Sequence, residues 1–125
     1  MRKFLLAIAL MIGALNFGFG SAYAAEAKQD FRLVNKTGYE IKSVFVSPSR
    51  SDDWDEDILG KDTLANGDAT DIVFHRSTRA CKWDLKVVYS DDNSSAVWTN
   101  IDLCSVEKIT IRYNRSTNTT TANFD

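Results

Sequence analysis

The feature that most constrains this chain is the segment Cys81–Cys104, CKWDLKVVYSDDNSSAVWTNIDLC, which holds both cysteines and two of the three tryptophans. It reads as a strand, a polar turn and a second strand, with a sulfur at each outer end. Trp83, Leu85, Val87 and Tyr89 alternate along Lys82 to Ser90, and Asp91-Asp92-Asn93-Ser94 is a run of turn formers. If Ser90 pairs with Ser95, the same register sets Cys81 opposite Cys104, within reach of a disulfide. That register leaves Trp83 opposite Asp102 and Leu85 opposite Asn100. A shift by one residue aligns Leu103 with Trp83 and Ile101 with Leu85, but slides the cysteines past each other. A β-bulge in the second strand, or a bend before Cys104, reconciles the two demands. The expectation is a Cys81–Cys104 disulfide together with a local irregularity.

Residues 1–25 carry the marks of a cleaved signal peptide. Arg2 and Lys3 precede an apolar run from Phe4 to Leu15, glycines interrupt it, and Ala22-Tyr23-Ala24 is an A-x-A cleavage site. The run is too short and broken to favour a permanent span. No cysteine lies at the cut to take a lipid anchor. The expected product is periplasmic or secreted, an oxidising setting in which two cysteines form one bridge. Losing Arg2 and Lys3 takes the formal charge from −2 to −4, and an acidic chain without a basic patch is a poor candidate for nucleic-acid binding.

Residues 26–125 suit a single domain. Asp30 to Lys36 begins the fold, with Phe31, Leu33 and Asn35 on one face. Thr37-Gly38 is a turn, and Glu40 to Ser47 a second strand that forms a hairpin with the first. Pro48 stops it. Asp68 to Arg76 is a third strand with Ile72 and Phe74 inward. After the cysteine hairpin, Lys108 to Asn114 shows the cleanest alternation in the chain, and Thr119 to Phe124 is a last edge strand. Six to seven short strands with almost no helix predict an all-β fold, a small antiparallel β-sandwich, with a small barrel as the alternative.

Between Pro48 and Gly67 the β pattern vanishes into an acidic loop with Trp54, Ile58 and Leu59 embedded. Asp53 to Leu59 has the makings of one helical turn, with Asp52 or Asp53 as N-cap and Gly60 as its end. The carboxylates of Asp53, Asp55 and Asp57 are candidate Ca²⁺ ligands, being hard oxygen donors at close spacing. The glycine of a helix–loop–helix calcium loop is replaced by Ile58. The competing reading is a solvated loop pinned by Trp54 and Leu59. The turn Asp91 to Ser95 is a second oxygen-rich cluster, read as a hairpin loop.

Catalytic machinery is sparse. His75 is the lone histidine and alternates outward from Phe74, so a nucleophile–histidine site would rest on it alone. Asp84 lies between Trp83 and Leu85 and is expected outward, paired with Lys82 and Lys86. A small hydrolase using two carboxylates is retained as an alternative. Trp83 is expected in the core and Trp98 on the face opposite Ile101.

The pieces FRLVNKTGYEIKSVFVSPS, DDWDEDILG, ACKWDLKVVY and WTNIDLC, read in order, resemble a family of small exported proteobacterial β proteins of unassigned function. Some members carry the name argininosuccinate lyase. Those lyases are much larger, helical, oligomeric enzymes, and none of their motifs is present here. The resemblance implies an exported β domain and no activity. The functional expectation is a non-enzymatic binding module without a cofactor, with Trp54, Asp52 and Glu56 as its partner surface. Its partner is an envelope or extracellular protein or glycan; the alternatives are a calcium-stabilised domain and the hydrolase.

Overall fold

The computed structural model describes residues 27–51 and 53–125; the segment read as a signal peptide, and Asp52, lie outside the described residues. Seven strands form: β1 (Phe31–Lys36), β2 (Ile41–Pro48), β3 (Ala69–Ile72), β4 (Lys82–Tyr89), β5 (Ser95–Asp102), β6 (Lys108–Asn114) and β7 (Thr119–Phe124). They make a four-stranded sheet in the order β3-β1-β6-β7 and a three-stranded sheet in the order β2-β4-β5. The fold is all-β, two-sheeted and not closed into a barrel.

Two expectations are corrected. First, β1 and β2 do not pair as a hairpin. They lie in different sheets, so the chain at Thr37 to Glu40 arches from one layer to the other. Second, the pairing is not wholly antiparallel: β1 runs parallel to β6, with Leu33 beside Ile109 and Asn35 beside Ile111. The first follows from the second. β1 is flanked on one side by β3 and on the other by β6, which leaves no free edge for β2.

Asn35 builds the arch. It is fully buried, yet all its side-chain hydrogen-bonding capacity is used. Nδ2 donates to the carbonyls of Tyr39 (2.8 Å) and Leu64 (2.9 Å). Oδ1 accepts from the Thr37 hydroxyl (2.7 Å) and the Thr37 N–H (3.1 Å). Its backbone closes the ring, accepting from Gly67 N–H and donating to Asp68 C=O. Gly38 and Gly67 sit at φ of 90° and 91°, where a side chain is strained.

The inner faces fill as the alternation requires. Leu33, Ile72, Ile109 and Ile111 of one sheet meet Ile41, Val44, Leu85 and Val87 of the other. Trp83 lies in the core as expected, stacked edge-on against Phe74 at 4.8 Å between ring centroids. Its indole N–H donates to Ala80 C=O. Gln29 and Asp30 tie the start of the described chain to the β3–β4 connection. Gln29 Nε2 donates to the carbonyls of Thr78 and Ala80, and Asp30 Oδ1 accepts from Phe74 N–H.

The cysteine hairpin carries both the staple and the irregularity. Cys81 and Cys104 are disulfide-bonded with Cα atoms 5.2 Å apart. Trp83 pairs with Ile101, Leu85 with Trp98, and the register shifts between them. Neither simple register holds; relative to the disulfide, pairing is displaced by one residue at Trp83 and by two at Leu85. The extra residue lies in β5, where Asn100 takes φ 57°. Asp84 secures it: its Oδ1 accepts from Asn100 N–H and from the Ser49 hydroxyl, both at 2.9 Å. Asp84 therefore holds the bulge rather than pairing with Lys82 and Lys86. The bulge also returns Trp98 to the inner face beside Ala96 and Ile101, half-buried against the core, not on the opposite face. Replacing Cys81 and Cys104 together by serine should lower the unfolding free energy by about 2–4 kcal/mol. Urea denaturation reads this directly; a loss below about 0.5 kcal/mol would show that the bridge constrains nothing.

Candidate functional site

The acidic loop is bound along the free edge of β2. Ser47 Oγ donates to Asp53 C=O (2.8 Å), and Ile58 N–H to Val44 C=O (2.8 Å). Asp57 Oδ1 accepts from Val44 N–H at 2.8 Å and from Leu59 N–H at 3.0 Å. Further on, Ile41 and Leu64 exchange two backbone bonds. An unpaired strand edge is a template for association, and this loop covers it.

These bonds replace the expected helical turn. Asp57 turns its carboxylate to the β2 edge, and the chain from Asp53 to Asp57 forms no helical turn; it closes only into hydrogen-bonded turns, Asp57 to Gly60 and Leu59 to Asp62. Gly60 ends the segment at φ 62°. Asp53 and Asp55 are exposed, and Asp57 is half-buried. Among the described residues, the one group of three or more histidine, cysteine or acidic side chains with ligand atoms within 4.8 Å of one another is Cys81, Asp102 and Cys104. Two of those sulfurs are joined to each other.

Trp54 and Glu56, expected at a partner surface, part company. Glu56 is exposed, whereas Trp54 is half-buried. The Lys86 ammonium lies 5.8 Å from the Trp54 ring centroid and 5.5 Å from that of Phe45. Both distances are within cation–π range. Lys86 stands between inward-facing Leu85 and Val87, so this group occupies the outer face of the three-stranded sheet. Lys86 pairs on one side with Phe45 and on the other with Val97, which is exposed. The loop thus lays Trp54 onto a sheet face that already carries Phe45, Lys86 and Val97. Phe45 and Lys86 were absent from the sequence-derived surface. Lys86 lies on the outward alternation of β4, but Phe45 shares the parity of buried Ile41 and is expected on its face, opposite Lys42 and Val44; the register shift between Ile41 and Ser43 turns Val44 inward and Phe45 outward.

His75 faces solvent, and its Nδ1 contacts the Ser77 hydroxyl at 2.6 Å.

No family model matches the chain, and no curated protein sequence matches it. In three dimensions it is similar to a protein from Eubacterium rectale solved by NMR, with a TM-score of 0.55. The two share 14% sequence identity over 86% of this chain and 94% of that one. At that identity the likeness concerns the fold alone.

Asp57→Ala should leave the buried-side Val44 N–H without a partner and cost about 1–3 kcal/mol. The amide of Val44 should exchange with deuterium markedly faster, while amides of β6 stay protected. Unchanged exchange at Val44 would mean that the loop does not cover the edge.

Proposed function

We propose that this protein is an exported, non-enzymatic interaction module that docks an envelope or extracellular protein or glycan on the outer face of its three-stranded sheet. The observation that carries the reading is the Lys86 ammonium between the Phe45 and Trp54 rings, beside exposed Val97. Tryptophan is among the side chains enriched where binding energy concentrates at interfaces. The two rings offer apolar area while the charge supplies orientation. Export is supported by the n-region, the apolar run and the A-x-A site of residues 1–25, and by a disulfide of the kind formed in oxidising compartments. The motifs that resemble the small exported proteobacterial β proteins support membership of that group. The absence of enzymatic activity is argued from a lone exposed histidine and two oxidised cysteines.

In this reading the acids of the loop have two roles. Asp57 is structural, and exposed Asp53, Asp55 and Glu56 set a negative border beside the aromatic pair. Such a border favours partners with complementary charge and acts on the rate of encounter more than on affinity.

Trp54→Ala should lower retention of partners from an envelope extract by at least ~30-fold, the equivalent of about 2 kcal/mol. The same variant should unfold within about 1.5 kcal/mol of the parent, since Trp54 lies on the surface of the sheet. Full retention of the same partners by Trp54→Ala would exclude this face. Collapse of the fold would assign Trp54 a structural role.

A further inference from the structure

At the end of the sandwich opposite the disulfide lies a cleft of about 450 Å³ that shares no residue with the Trp54 face. Its walls include Tyr39 from the arch, Tyr89 from the end of β4, Tyr113 from β6 and Thr120 from β7. Asp91 and Asp92, both exposed on the β4–β5 turn, also line it, beside Ser94, Ser95 and Asn118. Tyr39 sits edge-on to both other rings, 5.7 Å from Tyr113 and 6.5 Å from Tyr89 between centroids. Among the described residues, no lysine or arginine lines this cleft. Lys42, which reaches the same turn, is bonded to Asn93 outside the lining.

One group in the cleft is unsatisfied. Tyr89 is 8% exposed, and its hydroxyl has no hydrogen-bond partner among the described residues. Thr120 comes near it without reaching hydrogen-bond geometry. By contrast the Tyr113 hydroxyl donates to Asn118 Oδ1 at 2.6 Å. A buried polar group left unpaired is costly, and such a group on the wall of a concave site is a place where a ligand supplies the missing partner. Burial raises the pKa of the Tyr89 phenol, and a phenol oxygen accepts as well as donates. Asp92 accepts from Ser94 N–H at 3.0 Å, and hydrogen bonds from Ser94 hold its carboxyl below the usual range, so it is ionised.

We propose that this cleft binds an alkylammonium group, seated among the three tyrosines with Asp91 and Asp92 as its counter-charges and the Tyr89 oxygen as an acceptor. Aromatic rings attract cations through their negative faces, and the exposed carboxylates of Asp91 and Asp92 add a water-screened Coulomb attraction. An ammonium also brings three N–H donors to a site rich in acceptors. The net charge of the lining is negative with no cation to balance it, which favours a cation over a neutral polyol. The same head group occurs on a free polyamine and on a lysine side chain of a protein. This inference is independent of the proposed docking face, and either can fail without the other.

The test is a chemical-shift titration of the disulfide-bonded protein with spermidine, with Nα-acetyl-lysine methylamide, and with neutral maltotriose. Saturable shifts at Tyr39, Tyr89 and Tyr113 are expected with the two amines and not with the sugar. Tighter binding of spermidine would mark a free polyamine as the source; an equal response to the blocked lysine would mark a protein side chain. Joint replacement Asp91→Asn and Asp92→Asn, on an exposed turn, should weaken amine binding at least ~10-fold. Tyr89→Phe should weaken it about 3- to 10-fold with a thermal midpoint equal to or above the parent's, because it removes an unpaired buried hydroxyl. Amine shifts that spare the three tyrosines, shifts unchanged in the Asp91/Asp92 variant, or binding of maltotriose alone would each overturn the proposal.

Discussion

The rest of this structure depends on one buried amide. Asn35 sits at the point where the chain leaves one sheet for the other, and its side chain does there what strand pairing does elsewhere. Two consecutive strands joined by a short turn would ordinarily zip together as a hairpin. Here the carbonyls of Tyr39 and Leu64 and the groups of Thr37 are satisfied by Asn35 instead, so the arch stands without the strand partner it gives up. A fully satisfied buried polar network specifies one arrangement because any other strands its members without partners. β1 has β6 in parallel on one edge and β3 on the other, so β2 is committed to the second layer and the arch makes the crossing.

The same amide links the candidate sites. Its bond to Leu64 C=O fastens the far end of the acidic loop against Ile41, and Asp57 fastens the middle against Val44. Held at both places, the loop carries Trp54 to the outer face of the three-stranded sheet. Its bond to Tyr39 C=O orients the arch residue whose ring meets Tyr89 and Tyr113 in the cleft. Both surfaces are thus built on a rigid scaffold rather than on free loops, which lowers the ordering cost of binding.

Much of the fold was legible in the chain, and the reason is period two. Alternation placed Leu33, Ile72, Leu85, Val87, Ile109 and Ile111 inside, and all are buried. The conflict between the sulfur register and the apolar faces demanded an irregularity, and the bulge at Asn100 is its resolution. Alternation says which residues point inward but not which sheet a strand joins. So the arch at Thr37 passed for a hairpin turn, and the parallel pairing of β1 with β6, strands more than seventy residues apart, had no local signature. Trp98 fell on the wrong face because the bulge interrupts the count. The carboxylates of Asp57 and Asp84 look like surface charge in the sequence. Their bonds to Val44 and Asn100 become visible only when distant strands are placed side by side. The tyrosine cleft draws on four separate segments, and no spacing within any one of them announces it.

The measurement that bears most directly on this account is the stability of Asn35→Leu, a change that keeps the branched shape of the side chain and removes the polar bonds. With the Thr37 N–H left unpaired, and the carbonyls of Tyr39 and Leu64 each reduced to one donor, urea unfolding should show a loss of about 1–3 kcal/mol. The aromatic resonances of Tyr39, Tyr89 and Tyr113 should shift together as the arch loses its place. A variant within about 0.5 kcal/mol of the parent, with those resonances unmoved, would contradict the claim that a single buried amide holds the two sheets in their arrangement.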